Sequence, residues 1–203
     1  METAILIQSK MTALLIVGMQ NDFCHPQGAW ARQNGLDQRQ IEQAVSNLLA
    51  VVAAARSSGL PILHLALVTT PWTTWPPQKD YSPSSLCWEG SWGAQFYGLE
   101  PQPQDRIITR YRPSGFFETD LDLALQAKGL TTLLLSGFNG DGGVLLTGAD
   151  AVARNYLVFF IADGIAGWGD SNEREAFLKF TQRQFGPILS SREVTTCLSP
   201  ERD

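Results

Sequence analysis

Three parts of the chain hold residue types that can recognise a small polar molecule: the segment around Gly18, the end of a short apolar run at Arg110, and the stretch Asn139-Gly140-Asp141-Gly142-Gly143. A guanidinium at position 110 can clamp a carboxylate through two parallel hydrogen bonds, but its pKa above about 12 prevents it from shuttling protons at neutral pH. The backbone N–H groups of Gly142 and Gly143, at the expected start of a helix, favour an anion or a polarised carbonyl. Asp141 can act as an acid if burial raises its proton affinity, or it can cap the helix that follows, and capping is the preferred reading. Cys24 and Cys87 read as structural thiols because no histidine is reliably beside them, and His64, in an apolar strand, reads as a hydrogen-bonded core residue rather than a base. Phe23, Trp30 and Phe116 can line an apolar pocket or belong to the core.

The elements that must position these residues follow from hydrophobic pattern. Residues 12–19 form a continuous apolar run suited to a central strand covered on both faces. Residues 37–57 place Ile41, Val45, Leu48, Leu49 and Val52 at helical steps, ended by Gly59 and Pro61. Further strands are expected at 61–68, 107–109, 131–136, 157–161 and 187–190. Helices are expected after a Thr119 cap, at 142–154 and at 171–184. The order β-α-β-β-α-β-α-β-α-β describes an α/β three-layer sandwich, a central, mainly parallel sheet flanked by helices. In such sheets ligands bind beyond the carboxyl ends of the strands, where all three chemical stretches fall. The exception to the pattern is 69–104, which lacks a period and carries Trp72, Trp75, Trp88 and Trp92. A segment of this kind is a lid, binding loop or oligomer contact, or else a surface loop anchored by its aromatics.

Composition sets bounds. The 203 residues suit a single domain spanning 1–203, with an N-terminal extension at 1–11. The net charge of −5 and the scattered 15 Lys and Arg residues argue against nucleic acid or membrane partners. No apolar run reaches the roughly 20 residues of a spanning helix, and the start does not read as a secretory signal, so a cytoplasmic protein is expected. Cys24, Cys87 and Cys197 fit neither a disulfide framework nor a zinc site, and with only His25 and His64 no metal and no cofactor is expected.

The three stretches read ALLIVGMQNDFCHPQGAW (13–30), DRIITRYRPSGFFETDL (105–121) and LLLSGFNGDGGVLLTGADA (133–151). Together they resemble the isochorismatase-like superfamily of cysteine amidohydrolases, nicotinamidase-type enzymes and true isochorismatases, and Gly90-Ser91-Trp92-Gly93-Ala94 is similar to a further element of it. The resemblance puts Gly18 where the family has its acid-base Asp, Arg110 where it has Lys, and Gly143 where the hydrolases have their Cys nucleophile. It implies structural roles for Asn21, Asp22, Asp150 and Asp163, a non-proline cis peptide at Phe138–Asn139, and a homo-oligomer. Glycine at 143 excludes covalent catalysis there, and glycine at 18 removes the group that moves protons in both branches. Expected substrate-binding residues are Gly18, Phe23, Arg110, Phe116, Asn139, Gly142 and Gly143; expected catalytic residues are Asp141 and Arg110. Two functions follow. The chain is a non-canonical hydrolase or lyase acting on a small carboxylated or carbonyl compound without a cysteine nucleophile, or a pseudoenzyme that binds a metabolite or is a structural partner of an active homologue.

Overall fold

Strand-length apolar runs without alternation demand a sheet covered on both faces. The computed structural model describes residues 7, 9–74, 86–167 and 170–199. Strands β1 (Thr12–Val17), β2 (Ile62–Leu67), β3 (Arg106–Arg110), β4 (Thr132–Phe138), β5 (Leu157–Ala166) and β6 (Ile188–Leu189) form one sheet in the order β3-β2-β1-β4-β5-β6. Every neighbouring pair is parallel. Successive side chains of β1 alternate between two cores: Leu14 and Ile16 pack with one layer, Ala13, Leu15 and Val17 with the other. The first layer contains α3 (Gln38–Ser57) and α7 (Ser191–Leu198); the second contains α4 (Leu121–Ala127), α5 (Leu145–Ala153) and α6 (Ser171–Gln184). Short helices α1 (Asn21–Cys24) and α2 (Ala29–Asn34) follow β1. No described helix is long and apolar enough to cross a membrane.

Local signals account for most boundaries. Asp37 caps α3 by accepting a hydrogen bond from the Arg39 N–H. The buried face of α3 is Ile41, Ala44, Leu48, Val51, Val52 and Ala55, whereas Leu49, expected inward, is 49% exposed; alanines rather than Leu49 bring the helix close to the sheet. Thr119 Oγ1 accepts from the Leu121 N–H at the start of α4. Two corrections concern the later half. The helix expected at 142–154 opens as a π-helical turn, Gly140–Val144, before α5 begins. Strand β5, expected at 157–161, runs on through Ala162-Asp163-Gly164 to Ala166, and a register shift against β4 absorbs the extra residues.

The strand order sets the place of the site. From β1 the chain builds β2 and β3 on one side and β4 to β6 on the other, so the connections leaving β1 and β4 diverge. A crevice opens there by topology alone.

β2 also carries His64 into the interior, 1% exposed. Its Nε2 lies 3.4 Å from Oδ2 of Asp105 without forming a hydrogen bond, and neither ring nitrogen has a hydrogen-bond partner among the described residues. The expected hydrogen bond is therefore lacking, and Asp105 instead accepts 2.7 Å from Arg56 Nη2. Burial lowers the His64 pKa against the upward pull of Asp105. The folded imidazole thus resists protonation, while the unfolded one takes up a proton near about pH 6.5. Stability is fully present above that pH and is lost as pH falls toward the folded value. His64→Leu is expected to flatten the fall in unfolding free energy between about pH 6.5 and about pH 5, a window above the range of ordinary Asp titration. Urea unfolding across that window measures it; equal pH slopes in both proteins would refute it.

Candidate functional site

Beyond β1 the chain is held by polar side chains doing backbone work. Gln20, fully buried, donates from Nε2 to the carbonyls of Leu67 (2.8 Å) and Ala94 (2.9 Å) and accepts from the Leu67 N–H at 2.8 Å. Asn21 Nδ2 donates to the Trp92 carbonyl at 2.9 Å. The Asp22 carboxylate accepts from the N–H groups of Cys87 (2.6 Å) and Ala29 (3.2 Å). A Cβ on Gly93 would lie 2.1 Å from Asp22 Oδ2, so only glycine lets the loop close over this carboxylate. Asn21 and Asp22 thus tie α1 to the described part of 69–104, as the resemblance implies; residues 75–85, including Trp75, lie outside the described residues.

A cavity of about 200 Å3 opens at the carboxyl ends of the strands. Its walls are Phe23, Trp30, Phe138, Leu67, Leu86 and Pro113, and its polar lining is Arg110, Asn139, Gly142 and Gly143. Phe23 and Phe138 stack with centroids 5.4 Å apart, and Trp30 meets Phe23 edge-on at 6.3 Å. A larger groove, about 530 Å3, lies at the amino ends of β2 and β3 and holds none of the expected site residues.

Arg110 ends β3 and is 3% exposed. Its Nη1 donates to the carbonyls of Arg112 (3.0 Å) and Pro113 (2.9 Å), and its Nε approaches the Leu65 carbonyl at 3.4 Å. With those nitrogens engaged, the expected bidentate clamp is reduced to Nη2, which makes no hydrogen bond among the described residues. A Cβ on Gly18 would lie 2.9 Å from Nη2 and 2.6 Å from the Phe138 carbonyl oxygen; one on Gly143 would lie 3.5 Å from Nη2. The guanidinium therefore fills the space between the two glycines. Gly18 is accordingly covered and does not line the cavity, a correction to its expected binding role. Burial lowers the Arg110 pKa to about 10, which leaves the group charged at neutral pH.

The turn after β4 is also closed on itself. Asn139, joined to Phe138 by a cis peptide, accepts from the Gly143 N–H through Oδ1 (3.1 Å) and from Gly142 (3.3 Å) and Val144 (3.1 Å) through its carbonyl. The amides of Gly142 and Gly143, expected to face a ligand, are thus already bonded. Asn139, not Asp141, is the cap, because only the residue preceding the turn can reach back to the Gly143 N–H. Asp141 is exposed, accepts 2.7 Å from Asn139 Nδ2, and lies outside the cavity lining. Desolvation against the turn, and then Glu173, raise its pKa over the opposing effect of its own N–H and Asn139.

Phe116 is a correction as well. It packs on Tyr156 (5.6 Å) with the Arg154 guanidinium 5.0 Å over its ring, in the α4–α5 layer away from the cavity. Asp150 accepts from Ser114 Oγ (2.5 Å), and Asp163 accepts from the Ser191 N–H and Oγ (2.7 Å each). Leu67, Leu86 and Pro113 entered the lining without a sequence signal, since each is an apolar residue whose position depends on the loops. No group of three or more His, Cys, Asp or Glu residues among the described residues could hold a metal ion.

A family model described as Isochorismatase domain matches residues 12–193. The chain is similar to the ureidoacrylate amidohydrolase RutB of Methylobacterium radiotolerans, 28% identical over 90% of this chain and 77% of that protein. It is also similar to the ureidoacrylate amidohydrolase RutB of Pseudomonas savastanoi pv. phaseolicola, at 26% over 93% and 84%. Among solved structures, a cysteine hydrolase from Pseudomonas syringae pv. phaseolicola superposes with a TM-score of 0.86 at 23% identity, covering 95% of this chain and 94% of the other. N-carbamoylsarcosine amidase from Thermoplasma acidophilum superposes with a TM-score of 0.72 at 27% identity, covering 89% and 96%.

Two predictions follow from the site. Gly18 has φ +58°, so Gly18→Ala is expected to destabilise by about 1–2 kcal/mol from the left-handed conformation alone, with the Phe138 and Arg110 contacts adding to it; an unchanged urea midpoint would mean that Arg110 and the turn yield freely. Burial pushes the Cys24 and Cys87 thiols far above their usual range, with Asp22 adding to the effect at Cys87 against Arg110. Iodoacetamide is therefore expected to label exposed Cys197 in the native protein, and Cys24 and Cys87 only after unfolding. Mass spectrometry decides, and rapid native labelling at Cys24 or Cys87 would reveal an activated thiol.

Proposed function

The chain belongs to the Isochorismatase domain family, and from that premise we propose that its cavity is a small-molecule binding site that does not work through a thiolate or an Asp–Lys proton relay. The observation that carries this reading is the lining. Among the described residues it contains no thiol, imidazole, carboxylate or amine, and its ionisable group is Arg110. Amide hydrolysis of the kind named for the ureidoacrylate amidohydrolases needs a nucleophile and a group to protonate the departing nitrogen. Cys24 and Cys87 are fully buried and outside the lining, and Gly18 and Gly143 have no side chains to contribute. What this site offers a ligand is a fixed charge and an apolar wall.

A second reading, a hydrolase or lyase without a cysteine nucleophile, has one observation in its favour. Asp141 has a raised proton affinity and is bonded to Asn139, which lines the cavity. In that reading Asp141 supplies the proton and Arg110 stabilises developing charge.

Ammonia release from ureidoacrylate and nicotinamide, and consumption of isochorismate, are expected to stay at background with the purified protein. Turnover that scales with protein and is lost in folded Arg110→Ala would overturn the binding reading. Turnover lost in Asp141→Asn as well would install the second reading in its place.

A further inference from the structure

Among the described residues Arg110 is a buried cation without a counter-ion. At 3% exposure it has no carboxylate within ion-pair distance among the described residues. The carbonyls of Arg112, Pro113 and Leu65 satisfy Nη1 and Nε and fix the plane of the guanidinium, but carbonyl dipoles leave its net charge in place. An uncompensated charge in a low-dielectric site is costly, so the structure favours whatever brings the opposite charge to Nη2. Extending the reading of the cavity as a small-molecule site, we propose that its ligand is a compact organic monoanion with an apolar body, one anionic oxygen on Arg110 Nη2 and the body between Phe23, Trp30 and Phe138.

The geometry selects among anions. Nη2 is one donor group, and the neighbouring amides of Gly142 and Gly143 are held by Asn139, so a phosphate would find few of the donors it needs. A halide would satisfy the charge but leave the aromatic wall uncovered. The cavity, about 200 Å3, takes a body the size of one aromatic ring or a short branched chain, which a dry cavity of about 150 Å3 can already hold. A carboxylate on such a body places charge and apolar surface at the two ends the cavity offers.

Calorimetry in low-chloride buffer with benzoate and 3-methylbutanoate, against benzamide and 3-methylbutanamide, tests the charge. The acid is expected to bind roughly ten- to a hundredfold more tightly than its amide. Arg110→Met is expected to abolish that preference and Arg110→Lys to restore part of it, while Leu86→Trp, which fills the cavity, is expected to remove binding of acid and amide alike; thermal melts check that each variant is folded. If the variants fail to fold, the wild-type comparison of acid with amide still decides. Equal binding of acid and amide would overturn the monoanion while leaving the small-molecule site standing. Binding of neither probe at millimolar concentration would overturn both. Displacement of benzoate by chloride or inorganic phosphate at matching affinity would mean that an inorganic anion suffices, and the apolar body would be refuted.

Discussion

The region beyond the carboxyl ends of the sheet is organised around a guanidinium that spans two strand positions. Arg110 ends the edge strand β3, yet its tip rests between Gly18, just past β1, and Gly143, past β4. Neighbouring strands lie about 4.8 Å apart, so the side chain must cross over β2 to get there, a distance that suits a long, extended arginine. Its planar fork then binds three carbonyls in passing, from β2 and from the loop after β3. Lysine has the length but not the fork, and could hold those carbonyls only singly.

This placement makes Arg110 and the two glycines interdependent. A side chain on Gly18 would meet both the guanidinium and the Phe138 carbonyl, and one on Gly143 would meet Val17 and approach the guanidinium. At position 18 the arginine can lie where it does because no Cβ is there; at position 143 a Cβ would touch the guanidinium at ordinary contact distance and press instead on Val17. Introducing a carboxylate at position 18 therefore acts on a space already filled, and contacting residues of this kind respond to substitution together rather than additively. The shell beneath is tied together separately: Asp22, Cys87 and Gly93 form a closed arrangement that joins the described part of 69–104 to α1, next to Leu86 in the cavity wall.

The fold was legible because its signals are local and redundant. β1, β2 and β4 are buried on both faces and read as apolar runs, α3 and α6 carry their own capping aspartates, and the resulting alternation of strand and helix has few topological solutions. α7 escaped notice although Ser190 and Glu193 form a capping box and Val194 and Leu198 share a buried face, since the helix is only eight residues long and follows directly on the short strand β6. The site was legible only in outline. That Arg110, Asn139, Gly142, Gly143 and Phe23 converge followed from strand ends. What could not follow was the direction of each donor: whether Arg110 offers two groups or one, and whether the amides of Gly142 and Gly143 face a ligand or the Asn139 side chain. Those outcomes turn on a few ångströms of loop geometry. Phe116 illustrates the same limit, since an aromatic near a chemical stretch reads alike whether it faces a cavity or the core.

Electrostatics then narrows what such a site is suited to do. A group that moves protons must change charge near the working pH, and such groups are made by pushing a carboxylate up or an amine down toward neutrality. Burial moves Arg110 in that direction but leaves its pKa at about 10, so it remains a fixed charge across the range in which histidine and carboxylates titrate. Fixed charge in an apolar surround is strong, because little water competes for it, and it discriminates between ligands by charge more sharply than any exposed pair could. It gives such selectivity without giving a pathway for protons. The described lining thus combines a fixed charge with no side chain that titrates near neutrality, and that imbalance is the physical basis of the proposed binding role.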